Sequence, residues 1–124
     1  MSKVKEFKKV SLRFREALSR AIKKSSYSRE EMVSLIHGLT GIRISKHYFD
    51  QMTAPSKTDR RFPAELLPAL CHITGDVEPL RILAEAIELE VIGKEESRQL
   101  RLFRLMKEKE RIEREIESLK RELE

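Results

Sequence analysis

Apolar residues recur every three or four positions along most of this chain, and helix-breaking residues are few: four Gly and four Pro in 124. That spacing gathers apolar side chains onto one face of an α-helix. Gly41, Gly75 and Gly93, with Pro63 and Pro79, stand where periodic stretches begin or end. The chain therefore reads as helices joined by short connections. The expected fold class is all-α: a helix-turn-helix bundle of about five helices, then a long C-terminal helix of coiled-coil type.

Five stretches make up the bundle. Val4 to Lys24 carries Phe7, Val10, Phe14, Ala17, Leu18, Ala21 and Ile22 on one face. Ser28-Arg29-Glu30-Glu31 opens a second helix, with Ser28 as cap and Glu31 three residues on, as a capping box requires. Met32, Leu35, Ile36 and Leu39 form its apolar side, and His37-Gly38-Leu39-Thr40-Gly41 ends it. Ser45 caps a third, short helix running to about Met52, with Ile44, Phe49 and Met52 inward and Tyr48 partly so. Pro63 suits the first turn of a fourth, lined by Leu66, Leu67, Leu70 and Ile73 and stopped by Gly75. Pro79 opens a fifth, whose expected stripe is Leu80, Leu83, Ala84, Ile87 and Val91.

From Lys94 onward no Gly or Pro occurs. Leu102, Leu105, Ile112, Ile116, Leu119 and Leu123 fall on heptad positions a (102, 109, 116, 123) and d (105, 112, 119), and Lys109 is the polar a position. About three heptads suffice for a coiled coil, so these six residues are the candidate oligomerisation contacts. In a parallel pair Glu115 faces Lys120, which attracts, and Glu108 faces Glu113, which repels. An antiparallel pair, or packing on the body of the protein, stays open. The domain reading is residues 1–92 as the helical domain and 93–124 as the oligomerisation helix.

The net charge of +5 is unevenly placed. Residues 1–62 hold 15 Lys+Arg against 6 Asp+Glu, so +9. Residues 63–93 hold Arg81 against six acids, so −5. Residues 94–124 hold ten bases against nine acids, so +1. A basic N-terminal half is what a phosphate-binding surface needs. The acidic segment is a candidate surface for polymerase or a second subunit, although a plain solvated face is the favoured reading.

Ser28 to Met52 has the layout of a helix-turn-helix: capped helix, Gly-containing turn, short capped helix. Ser45, Lys46, His47 and Gln51 are hydrogen-bonding side chains on the outer face of the second helix, and are the candidate base readers. Lys can donate to guanine O6 and N7, and Gln can pair with adenine. Arg43 before the helix, and Lys57, Arg60 and Arg61 after it, are the candidate phosphate contacts. The partner expected is double-stranded DNA, bound by a homo-oligomer.

Residues 25–83, about half the chain, resemble the phage-encoded helix-turn-helix regulators of the lambda-repressor-like superfamily, especially small regulators of Mu-like and P2-like prophages. The resemblance is carried by Ser28-Arg29-Glu30-Glu31, by Ile44-Ser45-Lys46-His47-Tyr48-Phe49-Asp50, and by Phe62-Pro63-Ala64-Glu65-Leu66-Leu67-Pro68-Ala69-Leu70-Cys71 with Thr74-Gly75-Asp76. It implies a DNA-binding domain of four or five helices, a role in phage transcriptional control, and base reading by the outward residues of Ser45–Gln51. One departure is the span from Ile36 to Ser45, longer than the usual turn of three or four residues.

Other functions find little footing. His37, His47 and His72 are scattered and share no metal-ligand spacing with Cys71, so no metal or cofactor is expected. One cysteine forms no disulfide framework, and Cys71 reads as core filling, with His72 on the helix surface. No nucleophile elbow or phosphate loop occurs, so the chain does not read as an enzyme. Tyr27, Tyr48 and Phe49 are too few for a single-strand stacking platform. No apolar run nears the ~20 residues of a membrane span, and no secretory leader is seen. The expected location is the cytoplasm, with no membrane partner. Two rivals remain: a coiled-coil adaptor with an incidental basic half, and a less specific DNA-binding accessory protein of phage replication or transposition.

Overall fold

In the computed structural model α1 (Lys3–Lys24) lies across the other helices of its unit, contacting three of them. The structure describes residues 3–56 and 59–124, with side chains from Phe7 onward. The remaining helices are α2 (Arg29–Thr40), α3 (Lys46–Thr53), α4 (Leu67–Thr74), α5 (Glu78–Glu85) and α6 (Lys94–Leu123), and no strand occurs among the described residues. The fold is all-α. The chain divides into two compact units, Met1–Val91 and Ile92–Glu124.

The core of the first unit is where the apolar faces meet. Leu18 and Ile22 of α1, Met32 and Ile36 of α2, and Phe49 and Met52 of α3 pack with Leu66, Leu67, Leu70 and Cys71. Phe49 is fully buried, and truncating such a ring to alanine costs about 3–5 kcal/mol. Burial also pushes the Cys71 thiol up, keeping it neutral. The far end of α1 reaches beyond this core: Phe7 is 52% exposed, although its spacing places it on the apolar stripe.

Helix ends explain the element boundaries. The Ser28 hydroxyl accepts from Glu31 N, and the Glu31 carboxylate accepts from Ser28 N, closing the capping box. α2 and α4 end by one shared device. The hydroxyl of Thr40 donates to Ile36 O and accepts from Ile42 N. Thr74 does the same with Leu70 O and Asp76 N. The next residues, Gly41 (φ 77) and Gly75 (φ 71), take the left-handed conformation that glycine adopts without steric cost.

Three sequence expectations change. α2 ends within the expected segment, at Thr40 with Gly41 as the left-handed residue, but the apolar side expected of it stops short of its last turn. Leu39 sits on the solvent side, 54% exposed. The fourth helix is preceded by a 3-10 turn, Ala64–Leu66, with Pro63 outside it in extended conformation. Pro68 has no N–H to return to Ala64 O, so that carbonyl takes Leu67 N instead and the turn tightens. The fifth stripe is rotated and shorter than expected: Pro79 and Ile82 are buried, whereas Leu80 and Ile87 are 40% and 60% exposed. The cause is an early stop. Leu89 N donates to Ala84 O and Glu88 N to Glu85 O, with Glu88 left-handed at φ 61, which is a Schellman-type ending on a residue other than glycine.

The second unit is α6 alone, 30 residues long. None of its residues is buried. At 1.5 Å per residue such a helix is about 45 Å long. No described helix in the chain is long and apolar enough to cross a membrane.

Candidate nucleic-acid interface

α2 and α3 meet through a connection of four residues, Gly41 to Ile44, before the cap Ser45. Half of the long span from Ile36 to Ser45 in the sequence is thus helix. Ser45 Oγ accepts from Tyr48 N at 3.0 Å. Its hydroxyl proton stays available to a ligand. Phe49, Met52 and Thr53 bury the underside of α3 completely. At 100° per residue, Lys46, His47, Asp50 and Gln51 then share the opposite arc.

These four side chains form two parallel pairs along the arc. Lys46 Nζ donates to Asp50 Oδ2 at 2.8 Å. Gln51 Nε2 lies 3.1 Å from His47 Nε2. The Lys46 hydrogen bond, above all, holds the Asp50 carboxyl below the usual carboxylate range, with Arg29 adding to it and partial burial opposing. The same bond raises Lys46 above the usual lysine value. Three of the base readers expected from sequence, Lys46, His47 and Gln51, therefore lie side by side, and Ser45 caps the helix that carries them.

Asp50 and Arg29 are the residues that the sequence did not single out. Arg29 Nη1 donates to Asp50 Oδ1 at 3.0 Å and to Thr53 Oγ1 at 2.9 Å, and the guanidinium stands 5.7 Å above the Phe49 ring. One arginine at the start of α2 thus touches three residues of α3. Thr53 passes the link inward by donating to Phe49 O at 2.8 Å. The available signal was weak: Asp50 sits four residues after Lys46, a spacing that pairs charges on a helix.

The candidate phosphate contacts divide. Arg43 is exposed, beside Ile44 and Ser45 in a shallow cleft that also takes in Glu30, Val33, Ser34 and His37. Lys57 lies outside the described residues. Arg60 and Arg61 are exposed, and their segment is fastened to α1. Arg15 Nη2 donates to Arg60 O at 2.6 Å, and Arg61 Nη1 donates to Ser11 Oγ at 3.4 Å. Phe62 packs edge-on against Phe14, with ring centres 6.5 Å apart. Arg15 is 4% exposed and acts as a structural anchor. Its burial is not legible in the sequence, where it stands among the basic residues beside the apolar stripe of α1. Lys8, exposed and three residues before Ser11, adds a charge to the same flank.

Among the described residues no group of three or more His, Cys, Asp or Glu side chains is placed to hold a metal. Comparison with known proteins finds no family model, no curated protein and no solved structure that matches the chain.

Proposed function

We propose that this chain is a sequence-specific double-stranded-DNA-binding transcriptional regulator of phage or prophage type, without enzymatic activity. It reads the major groove with α3 and acts in the cytoplasm as a dimer or higher oligomer through α6. The observation that carries this reading is the outer arc of α3. Four hydrogen-bonding side chains, Lys46, His47, Asp50 and Gln51, stand on a short helix whose underside is wholly buried. A groove-reading helix needs that division between a fixed back and a polar front. The +9 charge of residues 1–62, with Arg43 exposed in the connection of the helix pair and Arg60 and Arg61 exposed on the segment fastened to α1, supplies the attraction to phosphates.

Selection of bound duplexes from random DNA tests the proposal. Enrichment of two half-sites with centres about one helical turn, 34 Å, apart supports a symmetric dimer. Binding without enrichment of any sequence sinks sequence-specific readout and leaves the phage accessory protein. A second reading, a protein–protein adaptor, draws on the apolar residues of α6, none of them buried. It predicts no salt-dependent duplex binding in a gel shift on pooled genomic fragments.

A further inference from the structure

Leu102, Leu105, Ile112, Ile116, Leu119 and Leu123 line one side of α6 and are 42–88% exposed. The helix is unbroken from Lys94 to Leu123, so the heptad seam runs straight through it. We infer that this seam is covered by the α6 of a second copy, lying parallel and in register as a two-stranded coiled coil. The inference deepens the oligomeric part of the proposed function by fixing its orientation and register.

Layer by layer, the two orientations differ. In the parallel, in-register pair each seam residue faces its own counterpart. Six of the seven layers from 102 to 123 are then wholly apolar, and Lys109 is the exception. The best-overlapped antiparallel pair sets 102 against 119, 105 against 116 and 109 against 112, each twice. That leaves four apolar layers, puts Lys109 against Ile112 in two more, and brings Leu123 opposite Arg98. Between 102 and 123 parallel pairing confines the charged side chain to a single layer, while Arg98, at the d position before them, faces its own counterpart at the seam's end.

The charges around that layer suit it. In a parallel pair a residue at position a is flanked by the preceding g residue of the other strand. Lys109 is therefore flanked by Glu108 of the second copy, and on its own helix Lys109 Nζ lies 3.8 Å from Glu113 Oε1. The two lysines sit among these carboxylates and offset the repulsion of Glu108 by Glu113 across the interface. One turn and more further on, Glu115 meets Lys120 of the second copy with opposite charge. A single lysine at position a sets register and strand number at a cost in stability. Leu100 and Phe103 fall at f and b, outside the seam. Lys107 Nζ stands 5.5 Å over the Phe103 ring, and the pairing leaves both residues uncovered.

Disulfide trapping on the full chain tests this, with Cys71→Ala removing the native thiol. Arg98→Cys and Leu123→Cys lie near opposite ends of the seam. Parallel pairing lets each variant alone oxidise to a covalent dimer. Antiparallel pairing gives dimer only when the two variants are mixed, and that result overturns the inference. So does sedimentation of the wild-type chain as a monomer at tens of micromolar. Lys120→Glu turns the attractive Glu115 contact repulsive, so dimer dissociation rises several-fold. Lys109→Ile strengthens association at least tenfold and allows species larger than two chains. No change in either variant counts against the register. Helix content by circular dichroism confirms that each variant is folded. Duplex binding is measured separately. A parallel dimer that ignores DNA leaves this inference standing and removes the regulator reading. A monomer that binds DNA does the reverse.

Discussion

Arg29 and Asp50 are 21 residues apart in sequence, and their charged groups meet at 3.0 Å. This contact joins the first turn of α2 to the outer arc of α3. It couples the bracing helix of the pair to the side chains proposed to read DNA. Both side chains keep about a third of their surface in solvent, 30% and 36%, so screening reduces what the ion pair contributes. The Thr53 bond and the stacking over Phe49 add to it. Arg29→Ala is expected to destabilise the first unit by about 1–2 kcal/mol. Arg29→Lys recovers only part of that, because an ammonium cannot stack and donate as the planar guanidinium does. Thermal unfolding reads both, and an alanine variant as stable as wild type would remove the link.

Asp50 also gives the fold an acid limit. Its folded pKa lies below the ordinary value, chiefly through Lys46. A depressed carboxylate contributes stability that is complete above the unfolded value, about 3.9, and is lost as pH falls through the folded one. Asp50→Asn is therefore expected to be less stable than wild type at pH 7, with the gap closing below about pH 4. Unfolding free energies measured from pH 2 to 7 decide it. A gap that does not vary with pH means the carboxylate acts by shape, not by charge.

Much of this architecture follows from local signals. The Ser28 capping box, the Ser45 cap and the glycines after α2 and α4 are each written in a few adjacent residues, and each sets a helix end. The α6 heptads are legible for the same reason. Long-range pairing is not. Arg29 reads as a first-turn helix residue until α3 folds against it, and Arg15 reads as surface charge until it donates to Arg60 O. The fifth stripe was misplaced because hydrophobic spacing continues past Glu85, whereas the backbone turns at Glu88. No Gly or Pro marks that turn. On α3, spacing sufficed to place Lys46, His47 and Gln51 on one arc. It could not show that Asp50 holds Lys46 or that Gln51 meets His47.

Base reading and phosphate holding separate by salt. Arg61, fastened near Ser11 on the α1 flank, is proposed to meet phosphate. Arg61→Ala should weaken every duplex alike and reduce the slope of log K against log salt by about 0.9. Gln51 is proposed to meet a base edge, so Gln51→Ala should leave the slope unchanged. It should cost about 1–3 kcal/mol at particular base pairs. Titrations of selected and random duplexes at several salt concentrations report both quantities. If the two variants behave identically on both duplexes, the division of roles is wrong.

One substitution should have opposite signs three residues apart. Gly38 lies inside α2, and a methyl group added there meets nothing within 4 Å. Alanine at that position restricts the unfolded chain and favours the helix, so Gly38→Ala is expected to stabilise by about 0.5–1 kcal/mol. Gly41 also has open space around it, but its φ is 77. A side chain at that angle crowds its own backbone, so Gly41→Ala is expected to destabilise by about 1 kcal/mol or more. Neither change removes a packing contact. Denaturant unfolding of the two variants therefore isolates the backbone conformation at the end of α2. If both variants move in the same direction, the boundary between helix and turn does not lie at Thr40 and Gly41.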